Sequence, residues 1–252
     1  MHLLYHLLVT ALFSLLLLNP VRAEEVHAAV ASNFTAPMKQ IVEQFEQSSG
    51  HDVTLSFGSS GKIFAQIQNG APFQVFLSAD QQKPEALEKK GLTVPGSRFT
   101  YAVGSLALWS ARPDFVDDDY TRLKQGEFNK LALANPKLAP YGAAAVEVLS
   151  ALKLREATQP KWIMGENIAQ TYQFVDSGNA DLGLVALSQI MHNGKIKKGS
   201  GRIIPGELHN PIRQDAVLLS NAQDRKGAQA LLAYLRSDKA HAIMRAFGYT
   251  TE

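Results

Sequence analysis

The chain has 252 residues, 46% hydrophobic and 19% charged, a composition that excludes a disordered or low-complexity polypeptide. Its 25 Lys and Arg against 23 Asp and Glu leave a formal net charge of +2, too small a surplus to argue for nucleic acid or a membrane surface as partner. With no cysteine in the chain, disulfides, thiolate metal sites and cysteine nucleophiles are excluded.

Residues 3–18 are almost wholly apolar and end at Asn19-Pro20, and Val21-Arg22-Ala23 follows with small residues at both ends. This pattern predicts a secretory signal peptide over residues 1–23, cut after Ala23, and a mature exported chain starting at Glu24. An uncleaved membrane anchor is the alternative, but the apolar run falls short of the ~20 residues that a spanning helix needs.

Val26–Ala31 (VHAAVA) reads as a short buried strand ending at Ser32-Asn33. Met38, Ile41, Val42 and Phe45 then fall at helical spacing, with Thr35 as a candidate cap, Pro37 in the first turn and Gly50 as the stop. Val53, Leu55 and Phe57 alternate as a second strand running into Gly58-Ser59-Ser60-Gly61, and a helix bearing Ile63, Phe64 and Ile67 follows. A third strand, Val75–Leu77, leads to a helix opened by Pro84. This β-α-β-α-β-α order predicts a parallel sheet with helices on its faces.

Residues 99–109 (FTYAVGSLALW) read as one long strand, too long for a small sheet. Leu131–Ala134, a helix over 143–152, a helix over Ile168–Val175 and a strand over Leu182–Ala186 form a second α/β set. A strand at 216–219 and one or two helices between Asp224 and Phe247 close the chain. The simplest layout has two lobes joined by extended crossings near 100–108 and 213–219, the last helices returning to the first lobe.

Two strand-to-helix junctions, Ser32-Asn33 and Gly58–Gly61, carry unusual polar density. Free backbone N–H groups and short hydroxyl or amide side chains at such junctions suit an anion beyond the carboxyl ends of parallel strands. The same residues equally serve as plain caps and turns, so spacing alone leaves both roles open. Gly58–Lys62 is not a nucleotide P-loop, since it has two residues between its glycines and Ile63 after the lysine. Nor is it a G-x-S-x-G nucleophile elbow. Lys62, His192, Asp176, Asp181, Asp215 and the Asp117–Asp119 run are expected to be solvated or capping residues, and Trp109 and Trp162 packing residues. No zinc motif and no convincing acid–base pair is present.

The segments ASNFTAPM (31–38), SFGSSGK (56–62), NGAPFQVFLSAD (69–80), ANPKLAPYG (134–142) and GENIAQ (165–170) resemble the periplasmic molybdate-binding components of ATP-driven uptake systems. The likeness runs in order over essentially the whole mature chain. It implies a two-lobed α/β periplasmic binding protein fold (type II), each lobe a mostly parallel sheet flanked by helices, with the ligand in the interlobe cleft. It divides the chain into a first lobe at 24–104, a second at 105–216 and a return to the first at 217–252. Carried across position by position, it assigns the oxyanion to Ser32, Asn33, Ser60, Tyr141 and the backbone N–H of Ile168. Where some relatives place a tyrosine, this chain has Ala186, and the Asn33 amide and Tyr141 are expected to supply the missing donors. The resemblance further implies a non-enzymatic, monomeric receptor in the periplasm that takes molybdate and tungstate, uses no cofactor and no direct protein–metal ligand, and serves an ABC permease. A receptor for sulfate or phosphate, or an exported enzyme with a phosphate-binding cleft, are the alternatives.

Overall fold

A strand at the centre of a sheet covered by helices needs small or branched apolar residues on both faces, and residues 26–30 supply them. In the computed structural model, which describes residues 23–117 and 119–251, they form β1 (Glu25–Ala31), with Val26, Ala28, Ala29 and Val30 fully buried. The expected signal peptide therefore lies, except for Ala23, outside the described residues. A 3-10 turn (Ser32–Phe34) leads into α1 (Thr35–Ser49), whose expected stripe of Met38, Ile41, Val42 and Phe45 is buried. Helix α1 stops at Gly50 as expected, but Thr35 is its first helical residue rather than its cap, with Oγ1 donating to the Ser32 carbonyl at 2.8 Å.

The first α/β set continues through β2 (Asp52–Gly58), α2 (Ser60–Gln68), β3 (Val75–Leu77), α3 (Gln82–Lys89) and β4 (Phe99–Gly104). The second runs through β5 (Leu106–Ser110), α4 (Thr121–Gln125), β6 (Leu131–Ala134), α5 (Pro140–Ala151), α6 (Arg155–Thr158), β7 (Trp162–Gly165), α7 (Ile168–Asp176) and β8 (Leu182–Ala186). After α8 (Leu187–Ile190) come a hairpin of β9 (Met191–His192) and β10 (Lys195–Ile196), then β11 (Ser200–Ile203) and β12 (Ile212–Leu218). Helices α9 (Lys226–Tyr234) and α10 (Asp238–Ala246) follow.

The strands form two five-stranded sheets, ordered β2-β1-β3-β12-β4 and β11-β5-β8-β6-β7. The apolar run at 99–109 is accordingly not one strand: it breaks at Ser105, and its halves β4 and β5 belong to different sheets. Strand β12 pairs with the first sheet from Ile212 onward, facing Gly104, so the departing and returning segments lie side by side. Both sheets are mixed: β12 runs antiparallel to β3 and β4 in the first, and β5 antiparallel to β8 and β11 in the second. Parallel pairing is confined to β1 with β2 and β3, and to β6 with β7 and β8. Each sheet is packed on both faces by apolar clusters, the first around Phe34, Met38 and Phe247 and around Phe76 and Leu87, the second around Leu133 and Leu149 and around Trp109 and Val185. Trp109 is buried and stacks on Tyr172 with ring centroids 4.9 Å apart, the packing role expected of it.

Helix α5 starts three residues earlier than its apolar pattern indicates. Pro140 occupies its first turn, where a missing N–H has no intrahelical acceptor to lose. The turn lies tight on β6: a Cβ added at Gly142 would sit 2.2 Å from the Ala134 carbonyl oxygen. Helix propensity alone would make Gly142→Ala stabilising by ~1 kcal/mol. The backbone contact reverses that sign, and urea unfolding is expected to give a loss of about 1–3 kcal/mol. A neutral or more stable variant would contradict this packing.

Candidate functional site

The first N–H groups of a helix have no partner within the helix, and the peptide dipoles leave partial positive charge there. Four helices begin around one small cavity between the two sheets. Its walls are Ala31, Ser32 and Asn33 before α1, Gly58, Ser59 and Ser60 at α2, Ala139, Pro140 and Tyr141 at α5, Ile168 at α7, and Ala79 after β3. All five expected site residues, Ser32, Asn33, Ser60, Tyr141 and Ile168, are thus brought to one place from positions up to 136 apart in the chain. The backbone N–H groups of Asn33, Ser60, Tyr141 and Ile168 make no hydrogen bond to another described residue. No lining residue is charged.

Side chains divide the work at each helix start. Ser59 caps α2, its Oγ accepting from the Lys62 N–H at 3.4 Å, so the neighbouring Ser60 is released from capping. Ser60 is buried, and its Oγ accepts from the Ala79 N–H at 2.9 Å, which leaves its own proton free to donate. Ser32 Oγ has no hydrogen-bond partner among the described residues. Asn167 caps α7 by accepting from the Ala169 and Gln170 N–H groups, leaving that of Ile168 unpaired. Ala186 ends β8, and its N–H donates to Gln189 Oε1 at 3.0 Å; it does not line the cavity.

One expected donor is already engaged. Asn33 Nδ2 gives its protons to Gln214 Oε1 at 2.8 Å and to the Tyr249 hydroxyl at 2.9 Å. The amide is therefore spent inside the protein, and the donor that Asn33 offers to the cavity is its backbone N–H. The Tyr141 hydroxyl likewise turns to the protein, accepting from Gln214 Nε2 at 3.2 Å.

These bonds belong to a buried network that sequence reasoning missed. Gln214 Oε1 also accepts from the Tyr101 hydroxyl at 2.9 Å, and Ser188 Oγ donates to the Asn33 carbonyl at 2.8 Å, 3.0 Å from the Tyr249 hydroxyl. Gln214 and Ser188 are 0% and 4% exposed. A glutamine inside the otherwise strand-like IRQDAVL was the available signal, since a buried polar group demands partners. Burial pushes the hydroxyls of Tyr101 and Tyr141 well above the ordinary tyrosine range. Burial also raises Tyr249 to about 12, against the opposing hydrogen bonds of Ser188 and Asn33.

Elsewhere Lys62 pairs with Glu166 at 2.7 Å across the cleft from α2 to the start of α7, outside the cavity. A second interlobe contact lies beside it, the Gly61 N–H donating to the Leu138 carbonyl at 2.9 Å. Asp117, expected in a solvated turn, instead accepts from the Thr121 and Arg122 N–H groups at the start of α4, and Asp181 and Asp176 pair with Arg112 and Lys198. Two further residues depart from the solvated state expected of them. Asp215 is 1% exposed, paired with Arg98 at 2.8 Å and accepting from Thr100, and His192 packs against Phe247 with its Nδ1 buried and unpartnered. No group of three His, Asp or Glu suited to a metal ion occurs among the described residues. A larger interlobe cavity is lined by charged residues of both signs, Asp80, Lys83, Lys137, Glu147 and Arg213; Asp80 pairs with Lys83, while the Glu147 carboxylate faces Asn210.

Residues 26–250 match the bacterial extracellular solute-binding protein family. The chain is 57% identical over 242 residues to the molybdate-binding protein ModA of Azotobacter vinelandii, covering 96% of each chain. It is 48% identical over 233 residues to the ModA of Rhodobacter capsulatus, covering 92% of this chain and 91% of that one. The solved periplasmic molybdate-binding protein of Azotobacter vinelandii superposes with a TM-score of 0.87 at 40% identity, covering 90% of this chain and 99% of that one.

The buried tyrosines set an alkaline limit on stability. Unfolded tyrosine ionises near 10, whereas Tyr249 in the fold holds its proton to about 12. The stabilisation is complete below pH 10 and is lost as the pH rises toward 12, because only the unfolded chain releases the proton there. Denaturant midpoints measured across this window are expected to fall steeply in the parent protein and less steeply in Tyr249→Phe. Equal slopes would exclude Tyr249 as a contributor.

Proposed function

The chain belongs to the bacterial extracellular solute-binding proteins, and on that basis we propose that it captures molybdate between its lobes and delivers it to the permease of an ABC transporter. One observation carries the anion-binding part of this reading: a cavity with no charged lining residue, into which four helix starts bring unpaired N–H groups. Molybdate at neutral pH has two charges and no proton, so it needs donors only. Neutral donors also avoid the desolvation cost of burying a lysine or arginine.

The proposed ligands are the hydroxyls of Ser32 and Ser60 and the N–H groups of Asn33, Tyr141 and Ile168. Tungstate has the same charge and tetrahedral shape and is taken as a second ligand. Monoprotonated phosphate needs an acceptor for its proton, and no carboxylate lines the cavity, which favours molybdate over phosphate. No lining residue is a carboxylate, histidine or lysine able to act as a general base, which favours a receptor over an enzyme. The reading includes no cofactor.

In this reading the first lobe comprises 24–104 and the return segment 217–252, which continues β12 after it has paired with the first sheet from Ile212 onward. The second lobe lies between them, and the two close on the ion by a hinge at the paired crossings. Contacts across the cleft, Lys62 with Glu166 and the Gly61 N–H with the Leu138 carbonyl, support such closure. Export by the signal peptide, residence in the periplasm and a monomeric state complete the proposal.

Ser60→Ala tests the ligand set. Removing a donor to a charged acceptor is expected to weaken molybdate binding roughly ten- to more than a hundredfold. It also takes the acceptor from the Ala79 N–H, so ligand-free stability falls by about 1–3 kcal/mol. Calorimetry and denaturant unfolding read the two effects separately, and a stability loss with unaltered affinity would remove Ser60 from the site. A second expectation concerns pH. With no lining group that titrates there, molybdate affinity should stay level between about pH 6 and 9. A tenfold change across that range would place an ionisable residue in the site.

A further inference from the structure

We propose that Gln214 is the positioning residue that couples contact between the lobes to the placement of Asn33 and Tyr141 around the anion; the inference rests on the molybdate reading above. Both ends of this side chain are engaged, and they face different lobes. Oε1 accepts from Asn33 Nδ2 at 2.8 Å and from the Tyr101 hydroxyl at 2.9 Å, both in the first lobe. Nε2 donates to the Tyr141 hydroxyl at 3.2 Å, on α5 of the second. Asn33 and Tyr141 are two of the four residues whose unpaired backbone N–H groups line the cavity, one from each lobe. One amide therefore touches the side chains of both, on the strand that returns between the lobes.

Two independent features of the fold serve this arrangement. The pairing of β12 with β4 shifts register between Gln214 and Asp215, an irregularity of the bulge type that re-aims side chains. Asp215 meanwhile turns to Arg98 and Thr100, the opposite duty from that of its neighbour. The second feature is Gly104, opposite Ile212 on the departing strand. A Cβ there would lie 2.0 Å from the Tyr141 hydroxyl and 2.5 Å from Gln214 Nε2, so the absence of a side chain makes room for this hydrogen bond. When the lobes separate, the Gln214–Tyr141 bond breaks while the bonds to Asn33 and Tyr101 remain. The amide then reports on closure to both halves of the site.

A double-mutant cycle on the full mature chain tests this, with molybdate titrated by calorimetry against the parent protein, Gln214→Met, Tyr141→Phe and the pair. Gln214→Met keeps the length and removes the hydrogen bonds, and is expected to weaken molybdate binding at least tenfold. Tyr141→Phe is expected to weaken it less, and the pair no more than Gln214→Met alone, because both changes remove the same bond. Losses that multiply independently, or unchanged affinity in Gln214→Met, would overturn the proposal while leaving the ligand assignment intact. No molybdate binding by the parent protein would overturn the ligand assignment itself. A merely structural role lowers ligand-free stability without coupling to Tyr141, and denaturant unfolding of the same four proteins distinguishes it. Should Gln214→Met fail to fold, Gly104→Ala supplies the cycle in its place. Its methyl separates the same two groups, and its effect on binding should shrink when Tyr141 is Phe; equal effects in both backgrounds would overturn the proposal.

Discussion

A dianion held without a counter-ion has to be met by hydrogen-bond donors that nothing else has claimed, and helix formation produces them, since the N–H groups of a first turn have no intrahelical acceptor. Around the interlobe cavity this constraint governs which residues cap and which do not. Ser59 and Asn167 satisfy later N–H groups of α2 and α7, so those of Ser60 and Ile168 remain open. Pro140, which has no N–H, precedes the open N–H of Tyr141 on α5. The sheets exist, in this sense, to bring four such starts together, two or more from each lobe.

A second layer of the same logic lies beneath the cavity. Asn33, Tyr101, Tyr141, Ser188, Gln214 and Tyr249 are buried polar groups, each costly unless paired, and they pair with one another. Burial keeps their phenols protonated, so the network contains no charge that would compete with the bound ion. At the edge of the cleft the charges of Lys62 and Glu166 neutralise each other. Within the cavity itself the donors offered to an anion are all neutral.

Local signals in the sequence were enough to mark most of this architecture. The helical stripe at Met38–Phe45, the strand Val75–Leu77 and the strand Leu182–Ala186 declare themselves through periodicity or a bounded apolar run. The five cavity residues became legible through the resemblance of short segments, not through spacing, because Ser and Asn at a helix start look alike whether they cap or bind. What stayed hidden depends on long-range pairing. Phe99–Trp109 reads as one strand because nothing local reveals that Ser105 lies between two sheets. Asp215 and His192 read as solvated because their partners, Arg98 and Phe247, are far away in the chain. The Asn33 amide looked available for the same reason: Gln214 and Tyr249, which occupy it, are 181 and 216 residues downstream.

The central claim is that neutral donors at helix starts select a proton-free tetrahedral dianion. Calorimetric titration of a chain spanning residues 24–252 with molybdate and phosphate under identical conditions tests it most directly. The account predicts saturable one-to-one binding of molybdate, with phosphate, which carries a proton, weaker by at least tenfold. Phosphate binding as tight as molybdate, or no molybdate binding at all, would contradict it.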